Sequence, residues 1–186
     1  MRGDSSMKLK VLSLILFTGM LLVACSSEDN GNNAAPSSNN DSVDIKKLVN
    51  EYSTGSVEGE TASITATQLI VTNEETDEET VYELPEEEFF VSIAPYIHET
   101  HPWTNHSLTG CQGELVEKEF DVYIEDEDGK VMIDEKITSL PNGFFDLWLP
   151  REKTYTVTIS YDGKTVESEL STFENDGTCI TTMQLN

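Results

Sequence analysis

Alternation of apolar and polar residues in the second half of the chain is the sequence feature that most constrains the fold. Between Thr154 and Tyr161, the side chains of Tyr155, Val157 and Ile159 alternate with threonine and serine. A period of two places successive side chains on opposite faces of a β-strand, whereas an amphipathic helix needs a period of about 3.6. Because one face is apolar and the other is polar, the pattern predicts an antiparallel sheet with one buried face.

The neighbouring segments extend this pattern into a small domain. Asp128-Gly129 and Asp162-Gly163 are turn pairs typical of tight hairpins, because glycine tolerates a positive φ. About six short strands separated by such turns predict a small β-sandwich over residues 113–186. The predicted strands cover residues 120–124, 131–133, 145–149, 154–161, 166–170 and 178–185.

Residues 43–97 predict a smaller unit that begins with a helix. The apolar residues of the segment 43–52 have nearly helical spacing, which favours an amphipathic helix. Asp41 or Ser42 is a suitable N-cap, because a short polar side chain accepts a hydrogen bond from the first helical turn.

A hairpin and one ambiguous segment complete this unit. Residues 64–71 and 80–84 predict two strands joined by a polar turn. Residues 86–97 fit a short helix or a strand. Because a helix and a hairpin are too small to fold alone, we expect them to pack against the sandwich. The predicted fold class is mainly β and α+β overall, with a small N-terminal helix-plus-hairpin unit packed on a C-terminal antiparallel β-sandwich.

The first residues of the chain indicate export. Two lysines precede the apolar segment 11–23, which is too short for a membrane-spanning helix and is typical of a signal peptide. The sequence Leu-Val-Ala-Cys that ends at Cys25 resembles the lipobox of bacterial lipoproteins, in which the cysteine carries two acyl chains. We therefore predict a signal peptide over residues 1–24, a lipidated Cys25 and a flexible tether over residues 25–42. An ordinary secretory signal peptide with an unrelated cysteine is the alternative.

This reading places the mature protein outside the cytoplasm and on a membrane, either at the cell surface or in a periplasm. The chain has 35 Asp and Glu residues against 11 Lys and Arg residues, and its formal net charge is −24. Such an excess of negative charge repels nucleic acid, which is therefore not an expected partner.

All three histidines of the chain lie in one predicted loop, residues 98–112, together with a cysteine. The loop begins HETHPWTNHSLTGC. Imidazole nitrogen and thiolate sulfur are the ligands that copper and zinc favour. One helical turn before Pro102 would place the first two histidines on the same face. The candidate metal ligands are His98, His101, His106 and Cys111 from the loop, and Cys179 from the last predicted strand.

A disulfide between Cys111 and Cys179 is the competing interpretation. Two cysteines outside the cytoplasm commonly pair, and such a bond would staple the loop to the last strand with a stabilisation of about 2–4 kcal/mol. The residue pattern alone therefore leaves a metal site and a structural disulfide open.

Four segments of the sequence resemble the CueP family of periplasmic copper-binding proteins. They are FFVSIAPYIHETHP, HSLTGCQGEL, NGFFDLWLPR and TCITTMQL, and the resemblance extends from about Glu86 to the C-terminus. It implies copper binding outside the cytoplasm, protection against copper, and transfer of copper to an extracytoplasmic acceptor enzyme. It also implies a small N-terminal domain, a β-rich C-terminal domain, the capacity to form a homodimer, and reduction of Cu(II) to Cu(I) by thiols.

The resemblance also assigns roles to individual residues. The functional cysteines of the family match Cys111 and Cys179, and its histidines match His101 and His106, with His98 as a neighbouring candidate. The relatives carry a cysteine directly after His-Pro, where this chain has Trp103. The expected site is therefore two thiolates with one or two imidazoles, and Trp103 is expected to pack in the core or to shield the metal.

The expected function is that of a copper carrier and not of an enzyme. The two thiols would bind Cu(I), or would reduce Cu(II) and become a disulfide. Zinc is the alternative metal, and a disulfide-stapled surface module that binds no metal is the alternative function. A hydrolase with Cys111 as nucleophile and His106 or His101 as base is disfavoured, because the sequence has no nucleophile elbow and no glycine-rich phosphate loop.

Overall fold

The computed structural model describes residues 37–38 and 43–186, which form one helix and twelve strands. The predicted signal peptide, Cys25 and most of the predicted tether lie outside the described residues. In the described part of the chain, no helix is long and apolar enough to cross a membrane. The elements are β1 (Ser37–Ser38), α1 (Ile45–Ser53), β2 (Glu60–Ile64), β3 (Gln68–Asn73), β4 (Glu79–Glu83), β5 (Glu88–Ile93), β6 (His106–Ser107), β7 (Glu119–Asp126), β8 (Val131–Thr138), β9 (Phe145–Pro150), β10 (Thr154–Tyr161), β11 (Lys164–Ser171) and β12 (Cys179–Ile180).

A three-stranded sheet with the order β12-β5-β9 contributes to a hydrophobic core on each of its faces. Strand β5 is antiparallel to β9 and parallel to β12. Phe89, Val91 and Ile93 belong to one core, whereas Phe90 belongs to the other. This burial on both faces explains why residues 86–97 did not alternate in polarity, and the structure resolves their central part as a strand.

A four-stranded antiparallel sheet with the order β11-β10-β7-β8 packs on one face of the three-stranded sheet. Tyr155, Val157 and Ile159 are fully buried there, as their alternation predicted. The hairpin turns contain Gly129 and Gly163 at φ values of 76° and 77°. The mainly β, α+β fold class is thereby confirmed.

The second core lies between the other face of the three-stranded sheet, helix α1 and a five-stranded sheet with the order β1-β4-β3-β2-β6. Val49 and Tyr52 are the buried apolar residues of α1. The N-cap is Asp44, whose carboxylate accepts a hydrogen bond from Lys47 N, and not Asp41 or Ser42 as the sequence suggested.

Two predicted strands differ in the structure. Residues 64–71 are not one strand, because the chain turns back after β2, where the Thr65 hydroxyl accepts a hydrogen bond from Gln68 N at 3.0 Å. The last predicted strand, 178–185, keeps regular strand pairing only in β12. Its later residues hydrogen-bond to the backbone of Tyr96 instead, although Met183 and Leu185 are buried as the alternation predicted.

Replacement of Phe145 by alanine should test the packing of the three-stranded sheet against the four-stranded sheet. Phe145 is 1 % exposed and lies in the core shared with the four-stranded sheet. We expect Phe145→Ala to lower the free energy of unfolding by about 3–5 kcal/mol, because it leaves a cavity. Urea denaturation followed by circular dichroism measures this loss. The control is Phe173→Ala, since Phe173 is 45 % exposed, and an equal loss in both variants would contradict the assignment.

Candidate metal centre

Three of the predicted ligands come together in the structure. One donor atom from each of His106, Cys111 and Cys179 lies within 4.8 Å of the other two, and all three residues are buried. His106 begins β6, Cys111 follows the turn after β6, and Cys179 begins β12. The cluster therefore joins the five-stranded sheet to the three-stranded sheet.

A tight turn brings Cys111 back towards His106. Cys111 N donates a hydrogen bond to Ser107 O at 3.0 Å, and Ser107 N donates to Cys111 Sγ at 3.4 Å. Gly110 N donates to the Ser107 hydroxyl at 3.0 Å. A Cβ atom at Gly110 would lie 2.8 Å from that oxygen, so a side chain at this position would displace the Ser107 hydroxyl from the turn.

Apolar side chains enclose the two cysteines. Ala94 and Phe144 form a buried cluster with Cys111 and Cys179, and the ring centroid of Phe144 lies 4.5 Å from that of His106. Water is thereby kept from the sulfur atoms, and electrostatic interactions among the three donors are strong in such surroundings.

The two sulfurs share a hydrogen bond that makes them chemically different. The pKa of Cys111 is lowered, because Cys179 donates a hydrogen bond to its sulfur, and because His106 and the amide of Ser107 favour the thiolate against the effect of burial. The pKa of Cys179 is raised by the same hydrogen bond, by burial and by the charge of Cys111. These opposite shifts favour a thiolate on Cys111 beside a thiol on Cys179, and both cysteines are free in the structure.

His101 lies close to this group without belonging to it. Its ring centroid is 6.0 Å from that of Phe144, which also contacts His106. Both ring nitrogens of His101 and both of His106 are buried and accept or donate no hydrogen bond within the described protein. A metal ion would satisfy such nitrogens, so the donor chemistry of the site suits a soft metal.

The remaining predicted residues lie farther out. His98 is exposed, and residues 98–101 contain no helix, so the predicted helical turn is wrong. Trp103 is 53 % exposed, which rules out the core position considered for it. Its ring meets the ring of His101 edge-on, with 5.4 Å between the centroids. The chain around Pro102 is instead held in an irregular arm, residues 98–105.

Glu114 fixes the start of this arm. One oxygen of its carboxylate accepts hydrogen bonds from the backbone amides of Ile97, His98 and Glu99, at 2.7, 2.9 and 3.2 Å. Although burial opposes ionisation, these three amides hold the pKa of Glu114 below its usual value. Sequence reasoning missed this residue, because nothing in the pattern distinguishes it from the many other glutamates.

Hydrogen bonds from the chain around Cys179 fix the rest of the arm. The Thr100 hydroxyl donates to Thr181 O at 2.6 Å, and the Thr181 hydroxyl donates to His101 O at 2.5 Å. Cys179 N donates to Thr104 O at 3.0 Å. Hydrogen bonds therefore hold the segments that carry the predicted ligands together without a disulfide.

Asp146 is a second residue that sequence reasoning missed. It is the register partner of Ser92, which is in turn the register partner of Cys179. The hydroxyls of Ser53 and Ser92 each donate to its carboxylate at 2.6 Å. Burial raises its pKa, against these hydrogen bonds and the influence of His106. The signal that could have identified Asp146 is the presence of a carboxylate between the apolar residues of FFDLWLP.

Comparisons with known proteins agree with the earlier resemblance. The family model described as "Periplasmic copper-binding protein CueP" matches residues 45–184. A solved structure titled "Crystal Structure of S.CueP" is 34 % identical in sequence, with a TM-score of 0.71. The match covers 76 % of this chain and 88 % of that chain. A search of curated proteins found no match.

Replacement of Glu114 by glutamine should loosen the arm. We expect hydrogen exchange at the amides of residues 97–99 to become about tenfold faster or more, because hydrogen bonds to a charged acceptor are stronger than those to a neutral one. Since the pKa of Glu114 is lowered, this protection is present at neutral pH and is lost as the pH falls through that lowered pKa. Mass spectrometry of hydrogen exchange measures both effects.

The control for this experiment is Glu99→Gln, which removes an exposed carboxylate from the same arm. Equal exchange rates in the two variants would show that the charge of Glu114 does not hold these amides.

Proposed function

Because the chain belongs to the CueP family of periplasmic copper-binding proteins, we propose that it binds Cu(I) outside the cytoplasm through Cys111, Cys179 and His106. The observation that carries the proposal is the approach of two sulfurs and one imidazole to within 4.8 Å in a buried, apolar site. Thiolate sulfur is a soft ligand and favours Cu(I) over hard cations.

The donor set in its dry surroundings favours copper over zinc. Structural zinc sites almost always have four protein ligands in a tetrahedron, and zinc sites with three protein ligands keep a water molecule in the fourth position. Among the histidine, cysteine and acidic residues of the described chain, only these three donors form such a group. Three donors in a dry pocket suit Cu(I), which accepts low coordination numbers, and His101 is an additional imidazole that contacts the same Phe144 ring as His106.

Trp103 changes the ligand set expected from the relatives but does not remove the site. The cysteine that follows His-Pro in the relatives would have supplied a third sulfur. In this chain His106 supplies a third donor from β6, and the exposed ring of Trp103 stands against His101 at the edge of the site. We therefore propose that Trp103 shields His101 from water and does not bind the metal.

Reduction of Cu(II) is the second part of the proposal. Two Cu(II) ions would each take one electron from the sulfur pair and become Cu(I). The Cys111 thiolate and the Cys179 thiol would lose one proton in total and form one disulfide bond. The proximity of the two sulfurs and the thiolate character of Cys111 support this step. The disulfide and the copper site are then two states of the same residues.

Location and partners complete the proposal. A lipid on Cys25 would hold the protein on the outer side of a membrane, and residues 25–42 would give it reach. From there it would protect the cell against copper or hand Cu(I) to an extracytoplasmic acceptor enzyme. A homodimer is a further expectation from the family.

Competition with a Cu(I) chelator tests the copper site. We expect the reduced protein, residues 26–186, to bind one Cu(I), and both Cys111→Ser and Cys179→Ser to weaken binding by about 100-fold or more, because each removes a thiolate ligand. His106→Ala should weaken it by about tenfold or more. The exposed His98→Ala variant is the control and should bind like the wild type. A wild-type protein that cannot compete with the chelator would leave a disulfide-stapled surface module as the better interpretation.

Counting free thiols after addition of Cu(II) without oxygen tests the reduction step. Two equivalents of Cu(II) should consume both thiols and yield two equivalents of Cu(I), and an added Cu(I) chelator reports that yield. Zn(II) is redox-inert and should leave both cysteines reduced. If Cu(II) leaves the thiols intact, the protein carries copper without reducing it.

A further inference from the structure

The hydroxyl of Thr178 joins the two chain segments that carry His106 and Cys179. Thr178 is fully buried and directly precedes Cys179. Its hydroxyl accepts a hydrogen bond from His106 N at 2.9 Å and donates one to Ile64 O at 2.7 Å. The Thr178 side chain is therefore hydrogen-bonded to the backbone of His106, and the backbone of Thr178 continues directly into Cys179.

This hydroxyl occupies a place in the sheet that the backbone usually fills. Ile64 and His106 are register partners on β2 and β6. The Thr178 hydroxyl relays a hydrogen bond from the amide of one to the carbonyl of the other. The carbonyl of Thr178 also accepts a hydrogen bond from Ser92 N at 2.8 Å, which fixes it against β5. One residue thus sets the distance between β6 and the start of β12.

Phe90 and Phe144 pack against the ring of His106, but no carboxylate or carbonyl of the described chain orients it. A histidine ligand usually donates its second ring N–H to a carboxylate, a carbonyl or water, and this contact sets the orientation of the ring. In the described chain neither ring nitrogen of His106 makes a hydrogen bond. Its position therefore depends on its backbone and on its contacts with Phe90 and Phe144.

We propose that Thr178 is a positioning residue for copper, which holds the His106 imidazole at binding distance from the Cys111 and Cys179 sulfurs. This inference rests on the proposed Cu(I) site. Thr178 does not bind the metal. A histidine ligand is usually oriented by a hydrogen bond to its ring, whereas here the Thr178 hydroxyl fixes the backbone of His106.

The chain offers a matched control for this role. Thr172 is also fully buried, and its hydroxyl also bridges backbone groups, because it accepts from Lys153 N at 3.2 Å and donates to Pro150 O at 2.9 Å. It contacts none of the three proposed ligands through these bonds. Thr172→Val and Thr178→Val therefore remove the same kind of hydroxyl, but only the second lies at the site.

The test compares Cu(I) affinity by chelator competition in the full mature chain carrying Thr178→Val, Thr178→Ser or Thr172→Val. We expect Thr178→Val to weaken binding by about 10–100-fold, which is the usual effect of losing a residue that orients a metal ligand. Thr178→Ser keeps the hydroxyl and should bind within about threefold of the wild type. Thr172→Val should lower thermal stability but leave the affinity unchanged.

X-ray absorption of the Cu(I)-loaded proteins gives a second readout. The wild type, Thr178→Ser and Thr172→Val should show two sulfur ligands and one nitrogen ligand, whereas Thr178→Val should lose the nitrogen and keep both sulfurs. Wild-type affinity and ligation in Thr178→Val would overturn the inference. So would an equal loss of affinity in Thr172→Val, or a loss of the nitrogen in a folded Thr178→Ser variant.

Two further outcomes can be told apart from a failure of the positioning role. If Thr178→Val does not fold, the affinity and ligation of Thr178→Ser decide, since only a positioning hydroxyl requires them to match the wild type. If the wild type itself binds no Cu(I), the proposed function fails and this inference fails with it.

Discussion

Burial of strand β5 on both faces is the constraint on which the rest of the structure depends. Its odd-numbered side chains complete the core under the four-stranded sheet, and Phe90 completes the core under helix α1. Strands β9 and β12 hydrogen-bond to its two edges. The early and late parts of the chain are therefore joined through one sheet, and neither core can close without β5. A linker between two independent units would not impose this order.

The same sheet explains where the proposed copper ligands lie. Cys179 is the register partner of Ser92 on β5, and Ala94 is part of the apolar lining around the sulfurs. The face that carries these residues meets β6, from which His106 projects into the cluster. Two soft sulfurs and an imidazole are thereby held in a dry place by β6, by the turn that follows it and by β12. The irregular arm with His101 and Trp103 is tied to this frame by hydrogen bonds, which the carboxylate of Glu114 accepts at one end and in which Thr100 and Thr181 take part farther along.

The sequence predicted what depends on local pattern and on chemistry. Alternation and the Asp-Gly turns predicted the strands β7 to β11, and the histidine-rich loop together with Cys179 predicted the donors that meet in the structure. The sequence did not predict that β5 pairs with both β9 and β12. Such pairing joins residues that are far apart in sequence, and no periodic pattern of residues indicates it. The helical turn at residues 98–101 was wrong because tertiary hydrogen bonds to Glu114 hold that segment. Nothing in the sequence distinguishes Thr178 from the other threonines, because its role depends on contacts with residues far away in the chain.

The proposed ligands come from segments that lie far apart along the chain, and this has a consequence for the lifetime of the protein. In an unfolded chain the two sulfurs and the imidazole do not converge, so a metal held at the proposed site would bind the native state more tightly than the unfolded state. A ligand that binds the native state more tightly lowers the population of unfolded molecules by mass action. Proteases outside the cytoplasm cleave chains that open. If the proposed site holds copper, the loaded protein is therefore expected to resist such proteases longer than the empty protein.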